Sequence, residues 1–299
     1  MSPFLKPQTL QAGSRLFDLS IPIVMGIMNV TPDSFFEGSR VQNEEAVRER
    51  VQQIVQEGGA IVDIGACSTR PGSIQINTQE EIKRLRRPLE ILSKEFPELA
   101  ISVDTYRADV ARMCAEEYGV QFINDISGGL EDPRMFSTVS ELPVAYILMH
   151  LNKGIKDMHI VPSYPNGVEV AVTDFFVQQV DRLRQAGVQD IVLDPGYGFS
   201  KSLEDHYRLM VQQRRALDML DLPVLVGISR KRMVQQVAQC TATEAMNGTS
   251  VLHSFFLFNG MAHIIRTHDV RAAVEAVRLS QKILETIKSI PQQSVIQRF

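Results

Sequence analysis

The sequence predicts an α/β fold, a single (β/α)8 TIM barrel with its active site at the C-terminal ends of the strands, and three observations carry that expectation. Eight short apolar runs each stop at a cluster of polar residues: IPIVMGIMNVTPDSF, AIVDIGACSTRPG, AISVDTYR, VQFINDISGG, VAYILMH, DIVLDPGYGFSK, PVLVGISRK and HIIRTHD. Segments with helical periodicity separate them. Several runs are apolar at consecutive positions (IVDIG, IVLD, VLVG), as in parallel strands buried on both faces. A barrel of this kind brings every strand end to one mouth, where barrel enzymes place their chemistry.

The elements follow in order. Residues 1–20 read as a lead-in without the apolar core and basic flank of a secretory signal, residues 21–290 as the barrel, and residues 291–299 as a polar tail. A first helix is expected over 43–59, with Ala46, Val47, Val51, Ile54 and Val55 near one face, Asn43 as its cap and Gly58 as its stop. Further helices are expected over 78–94, 107–118, 133–141, 168–186, 204–220 and 270–287. The seventh strand precedes a longer stretch, 231–260, read as two helical pieces meeting near Asn247 and Gly248. Residues 151–166 form a long connection without periodicity, which suits a functional loop or a surface insertion equally.

Bulk properties exclude several classes. At 299 residues with 44% hydrophobic and 22% charged content, the chain is long enough for one barrel domain. A net charge of −4 gives no global attraction to nucleic acid or to an anionic membrane, so any anion site is local. No apolar run approaches the roughly 20 residues of a membrane span. Cys67, Cys114 and Cys240 are odd in number, far apart and without zinc spacing, which suggests reduced thiols in a cytoplasmic protein. GYGFSKS lacks the spacing of a P-loop. His150, His159, His206, His253 and His263 show no zinc spacing and read as structural or surface groups.

The strand ends carry the chemistry. Asp104, Asn124 (followed by Asp125) and Asp194 end three runs, and together they offer acceptors and an amide to a flat, donor-rich heterocycle. A carboxylate matches an amidine-like edge through two parallel N–H bonds. Each alone is as easily a cap or structural group; three at separate strand ends favour a site. Ser229, Arg230 and Lys231 follow the seventh run, and Arg266 and His268 follow the eighth, in the usual phosphate corner of this architecture. If strand geometry continues, Arg266 and His268 face the same side. The loops NVTPDSFF and CSTRPGS add hydroxyls, Arg70, aromatics and oxygen ligands; Asn29 and Asp33 suit Mg2+, which binds through few protein groups plus phosphate. Ordinary turns are the alternative for both loops. Cys67 reads as an inert thiol, since no base neighbours it in sequence.

In order and spacing, MGIMNVTPDSF, DIGACSTRPGS, SVDTYR, INDISGG, LDPGYGFSK, VGISRK and IIRTHDV resemble the motifs of the dihydropteroate synthase family, over residues 23–279. The resemblance implies a pterin-binding barrel that joins 6-hydroxymethyl-7,8-dihydropterin pyrophosphate to 4-aminobenzoate in folate biosynthesis, with Mg2+ as cofactor and sulfonamides competing for the aminobenzoate site. By the same resemblance, Asp104, Asn124, Met149, Asp194, Phe199 and Lys231 bind the pterin. Asn29, Thr69, Arg266 and His268 take the pyrophosphate, Asn29 and Asp33 the metal, and Phe35, Arg70, Pro71 and Ser229 surround the aminobenzoate. Asp104, Lys231, Arg266 and His268 are the expected catalytic residues. The resemblance also implies a homodimer, for which the apolar stretch 251–262 is the candidate interface, although burial within one subunit suits it equally.

Three departures stand out. Ala66 and Cys67 replace a common Gly-Glu, Ser200 replaces a usual Gly, and Asn152-Lys153-Gly154-Ile155 replaces a usual Gln-Gly-x-Pro. Two rival readings remain: a methyltetrahydrofolate-binding methyltransferase acting with a corrinoid protein, which shares the pterin grip but not the paired loops or Arg-x-His, and a non-catalytic pterin-binding paralogue.

Overall fold

The computed structural model describes residues 5–30, 40–67 and 76–290. A hairpin of β1 (Thr9–Ala12) and β2 (Arg15–Asp18) comes first. Eight parallel strands follow: β3 (Ile23–Asn29), β4 (Ile61–Gly65), β5 (Ala100–Asp104), β6 (Phe122–Asp125), β7 (Ala145–Met149), β8 (Ile191–Asp194), β9 (Leu225–Val226) and β10 (Ile264–Thr267). Hydrogen bonding orders them β8-β7-β6-β5-β4-β3-β10-β9. A bridge between Leu193 and Val224, with the Leu193 N–H donating to Pro223 O at 2.9 Å, joins the two ends and closes the barrel. Each strand coincides with one of the eight apolar runs.

The helices α1 (Arg40–Gln56), α2 (Thr78–Glu95), α3 (Ala108–Tyr118), α4 (Met135–Ser140), α5 (Val168–Ala186), α6 (Leu203–Leu217), α7 (Arg232–Ala238), α8 (Met246–Phe258) and α9 (Val270–Ser289) cover the outside. Local chemistry sets their ends. Asn77 caps α2 by accepting from the Glu80 N–H at 2.9 Å, with Glu80 and Glu81 in the first turn. Ser202 and Asp205 form a reciprocal capping box on α6. Burying Leu85, Leu89 and Leu92 of α2 in the core contributes about 1.5–3 kcal/mol for each side chain.

Two expected boundaries are corrected. Nothing in Arg40, Val41 or Gln42 breaks a helix, so α1 starts upstream and Asn43 lies inside it rather than at its cap. The stop at Gly58 holds, with φ +88°. The two pieces after β9 separate at residues 239–245, where Gln239 takes φ +51°, and not at Asn247 and Gly248. Gly248 lies within α8 because of packing: a Cβ there would meet Val234 Cγ1 of α7 at 2.8 Å. Among the described residues, no helix is long and apolar enough to cross a membrane.

The hairpin lies within the segment read as a lead-in, and it is part of the barrel floor. Leu10, Ala12 and Leu19 join Met25, Ile61, Ala100, Phe122, Ala145, Val192, Leu225 and Ile264 in one buried cluster. Phe17 meets Phe122 edge to face at 5.2 Å. Around this contact the hairpin bonds to the lower loops: Gly13 N–H to Pro143 O at 2.7 Å, Gln11 N–H to Asp190 Oδ1 at 2.7 Å, and Gln8 Nε2 to Asp221 Oδ1 at 2.8 Å.

Candidate active site

One inward position above the apolar floor, strand alternation puts polar groups inside the barrel. Asp63 of β4 is fully buried and organises this layer. It accepts from Ser102 Oγ at 2.6 Å and from Asn124 Nδ2 at 3.1 Å, and it pairs with Arg266, whose Nε lies 2.7 Å and Nη2 2.6 Å away. The same Nη2 reaches Asp104 Oδ2 at 3.2 Å. The sequence reading passed over Asp63. Its signal was a carboxylate in the middle of IVDIG, because a charge inside a continuous apolar strand requires a buried partner.

This network fixes the orientation of Asn124. With Nδ2 committed to a carboxylate, Oδ1 is the free end of the amide, and it is buried without a hydrogen-bond partner. Leaving such an acceptor unpaired costs about 1–3 kcal/mol, which a donor-bearing ligand would remove. Asp104, the register partner of Asn124, has its pKa pushed up to about 7 by burial, with Arg266 opposing and Asp63 adding to the rise. Asp194 accepts the Gly196 N–H at 2.8 Å; burial raises its pKa while Lys231 opposes.

Lys231 donates to Tyr197 O, and its ammonium sits 4.4 Å from the Phe199 ring centroid, within cation–π range. Burial lowers the lysine to about 8, with Asp194 opposing. Phe199 packs on an apolar wall of Tyr106, Ile126, Met149, Leu151, Ile155 and Met158. The long 151–166 connection therefore lines the mouth. It is tied to the loop after β8 by Ser200 N–H to Met158 O at 2.9 Å and by Tyr164 OH to Ser200 O at 2.7 Å.

The phosphate corner differs in detail from the expectation. β10 ends at Thr267, so strand alternation does not carry His268 to the side of Arg266. His268 stands exposed at the rim, its N–H donating to Ser229 Oγ at 3.1 Å and its carbonyl accepting from Arg50 Nη2 at 2.9 Å. Partial desolvation, then the guanidinium groups of Arg266 and Arg50, hold its imidazole below the usual histidine range. Arg230, read among the bases, is turned away: it pairs with Asp269 at 2.9 and 2.6 Å and joins the loops after β9 and β10. Asn29 is exposed at the end of β3. Asp33, Phe35, Thr69, Arg70 and Pro71 lie outside the described residues.

Comparison with known proteins decides the lineage. The family model described as "Pterin binding enzyme" matches residues 25–268. The dihydropteroate synthase of Escherichia coli strain K12 is 36% identical over 277 residues, covering 92% of this chain and 96% of the relative. A dihydropteroate synthase from Xanthomonas albilineans, solved with 4-aminobenzoic acid, superposes with a TM-score of 0.83 at 32% identity, covering 96% of this chain and all of that one. The Yersinia pestis dihydropteroate synthase, solved with a sulfonamide drug complex, gives a TM-score of 0.84 at 33% identity, covering 93% of this chain and all of that one. The chain belongs to the dihydropteroate synthase family. Members of this family are transferases of folate biosynthesis, and these relatives favour neither the corrinoid methyltransferase nor the sensor reading.

Within the family, two departures acquire a physical account. Cys67 lies 3.7 Å from Arg107 Nη1, and that guanidinium pairs with the buried carboxylate of Glu81 on α2. Burial first, and Glu81 next, push the thiol up to about 12, which leaves it protonated and unreactive. Ser200, a departure from the expected Gly, adopts φ +47°, a conformation costing about 1–2 kcal/mol. Its N–H and its Oγ (3.3 Å) both bond Met158 O in compensation.

Among the described residues, no group of three His, Cys, Asp or Glu side chains could hold a metal ion. A hard ion held mainly by phosphate oxygens needs few protein donors, and the exposed Asn29 amide fits that role.

Proposed function

We propose that the barrel mouth condenses 6-hydroxymethyl-7,8-dihydropterin pyrophosphate with 4-aminobenzoate, giving 7,8-dihydropteroate and pyrophosphate, with the acceptor set of Asp104, Asn124 and Asp194 holding the pterin. The observation that carries this reading is the buried, unpartnered Asn124 Oδ1, aimed by Asp63 and in register with Asp104. A flat heterocycle with an amino group and ring N–H donors matches that set. Phe199 and Met149 supply the apolar wall, and Lys231 lies over the Phe199 ring.

In this reading Arg266 and His268 face the pyrophosphate, and Lys231 orients the pterin ring. Asn29 would hold Mg2+, which when bound neutralises charge on the departing pyrophosphate. The C–O bond breaks with its electron pair leaving on pyrophosphate, assisted by the Arg266 cation. The amine lone pair of aminobenzoate forms the new C–N bond, and its proton passes to water or to pyrophosphate. No side-chain nucleophile takes part. Asp33 as a second metal ligand, Thr69 at the pyrophosphate, and Phe35, Arg70, Pro71 and Ser229 around the aminobenzoate complete the proposal.

The test is release of pyrophosphate on mixing folded protein, Mg2+ and both substrates; no release would sink the reading. Lys231→Ala should weaken pterin binding roughly 10- to 100-fold, the range for a charged hydrogen-bonding group. Phe35→Ala should instead raise the KM for aminobenzoate, and equal effects on both substrates would contradict this division of the mouth. A homodimer belongs to the same proposal, supported by the exposed apolar side chains Met246 and Val251 of α8 and Leu279 and Ile283 of α9. Sedimentation as a monomer at micromolar concentration would remove it. Free thiols at Cys67, Cys114 and Cys240 support a reducing, cytoplasmic setting, which cell fractionation tests.

A further inference from the structure

Behind the pterin wall, the loop after β8 closes around a buried ammonium that no step of the proposed reaction uses. Lys201 is only 5% exposed. Its Nζ bonds His150 Nδ1 at 3.0 Å and donates to Gly196 O at 3.1 Å and Phe199 O at 3.2 Å, so all three of its protons have acceptors. Among the described residues it forms no salt bridge; burial lowers its pKa to about 7, with the Asp194 carboxylate opposing, so the ammonium depends on these three acceptors. Accepting from it requires a bare Nδ1 on His150; burial, then Lys201 itself, keep that imidazole neutral, well below its usual range.

The acceptors lead directly to the site. Gly196 gives its carbonyl to Lys201 and its N–H to Asp194 Oδ1, so one residue links the ammonium to the carboxylate. Its backbone is at φ +69°, and a Cβ there would come within 2.2 Å of His150 O, so the link has no room for another residue. Phe199 likewise gives its carbonyl to Lys201 while its ring faces the Lys231 ammonium.

We propose that Lys201 is a positioning residue for the pterin: without touching the substrate, it aims the Asp194 carboxylate and the Phe199 ring by holding the backbone of Gly196 and Phe199. The proposal rests on the pterin reading of Asp194. A residue that only stabilised the fold would weaken binding independently of Asp194, which a double-mutant cycle detects.

The probe is 6-hydroxymethyl-7,8-dihydropterin pyrophosphate with Mg2+ and no aminobenzoate, titrated calorimetrically into wild type, Lys201→Met, Asp194→Asn and the double variant. Lys201→Met should raise the Kd about 10-fold or more, in the range for hydrogen bonds to a charged group. The loss in the double variant should fall at least about fivefold short of the product of the single losses. Should Lys201→Met fail to fold, Lys201→Gln, which keeps an amide donor, enters the same cycle. An unchanged Kd, or losses that simply multiply, would overturn the proposal while leaving the pterin reading intact. Absence of binding by the wild type would overturn the pterin reading and this proposal with it.

Discussion

The floor and the mouth of the barrel are built from the same strands, one inward position apart, and they hold the chain in opposite ways. At the floor, Ile61, Ala100, Phe122, Val192 and Ile264 fill the interior with apolar side chains. One step along each strand stand Asp63, Ser102, Asn124, Asp194 and Arg266. Floor contacts are non-directional and gain from burial alone. Mouth contacts stabilise only while every charge keeps its partner, and a buried ion pair returns little net stability for its desolvation. The difference teaches what the polar layer is for. It spends stability to fix acceptors such as Asn124 Oδ1 in one orientation.

Substitutions can break that contrast or sharpen it. The largest effect is expected at Arg266. Arg266→Met leaves Asp63 and Asp104 facing each other without a cation, and should cost about 3–5 kcal/mol in urea denaturation together with all measurable turnover. A loss below about 1 kcal/mol would mean that the mouth does not depend on pairing. Phe122→Ala should cost a comparable 3–5 kcal/mol or so through the cavity it opens in the floor. Its folded fraction should still bind the pterin substrate with unchanged Kd, and a large rise in Kd would blur the two regions.

The pH response gives a smaller effect. Burial raises the native pKa of Asp104 to about 7, above its unfolded value near 4, so the native state holds that proton more tightly. The stabilisation this gives is complete below about pH 4 and is lost as pH rises toward 7. Asp104→Asn should therefore flatten the fall in urea midpoint between pH 5 and pH 7.5; a slope as steep as that of the wild type would assign it to another group. The smallest expected change is Ile61→Val, a floor trim costing about 0.5–1.5 kcal/mol with no effect on KM for either substrate.

Much of this arrangement was legible in the sequence, for reasons tied to particular residues. Apolar runs ending at Asn29, Asp104, Asn124, Asp194 and Arg266 mark the strands because a buried parallel strand has no polar face to interrupt it. The α2 and α5 spans were equally clear from periodicity, and in the structure Asn77 and Gly187 flank them. Asp63 was hidden because a single acid inside an apolar run gives no clue to its partner, which lies 203 positions away. The fate of Arg230 was hidden for the same reason: only the fold brings Asp269 to it. Helix starts such as that of α1 depend on what fails to break a helix, and one favoured cap residue, Asn43, misled.

The hairpin beneath the barrel has a consequence at the opposite end. β8 and β9 meet through a single bridge at Leu193 and Val224, the weakest joint in the wall, and Asp194 and Lys231 stand on either side of it above. Below the same joint, Gln11 holds Asp190 ahead of β8 and Gln8 holds Asp221 ahead of β9. The segment at residues 8–11 thus ties the lower ends of β8 and β9 together, beneath the Asp194 carboxylate and the Lys231 ammonium. Cutting the exposed Gln8 tie, which unlike Leu10 carries no buried core, should loosen the proposed grip on the pterin before it lowers the melting temperature.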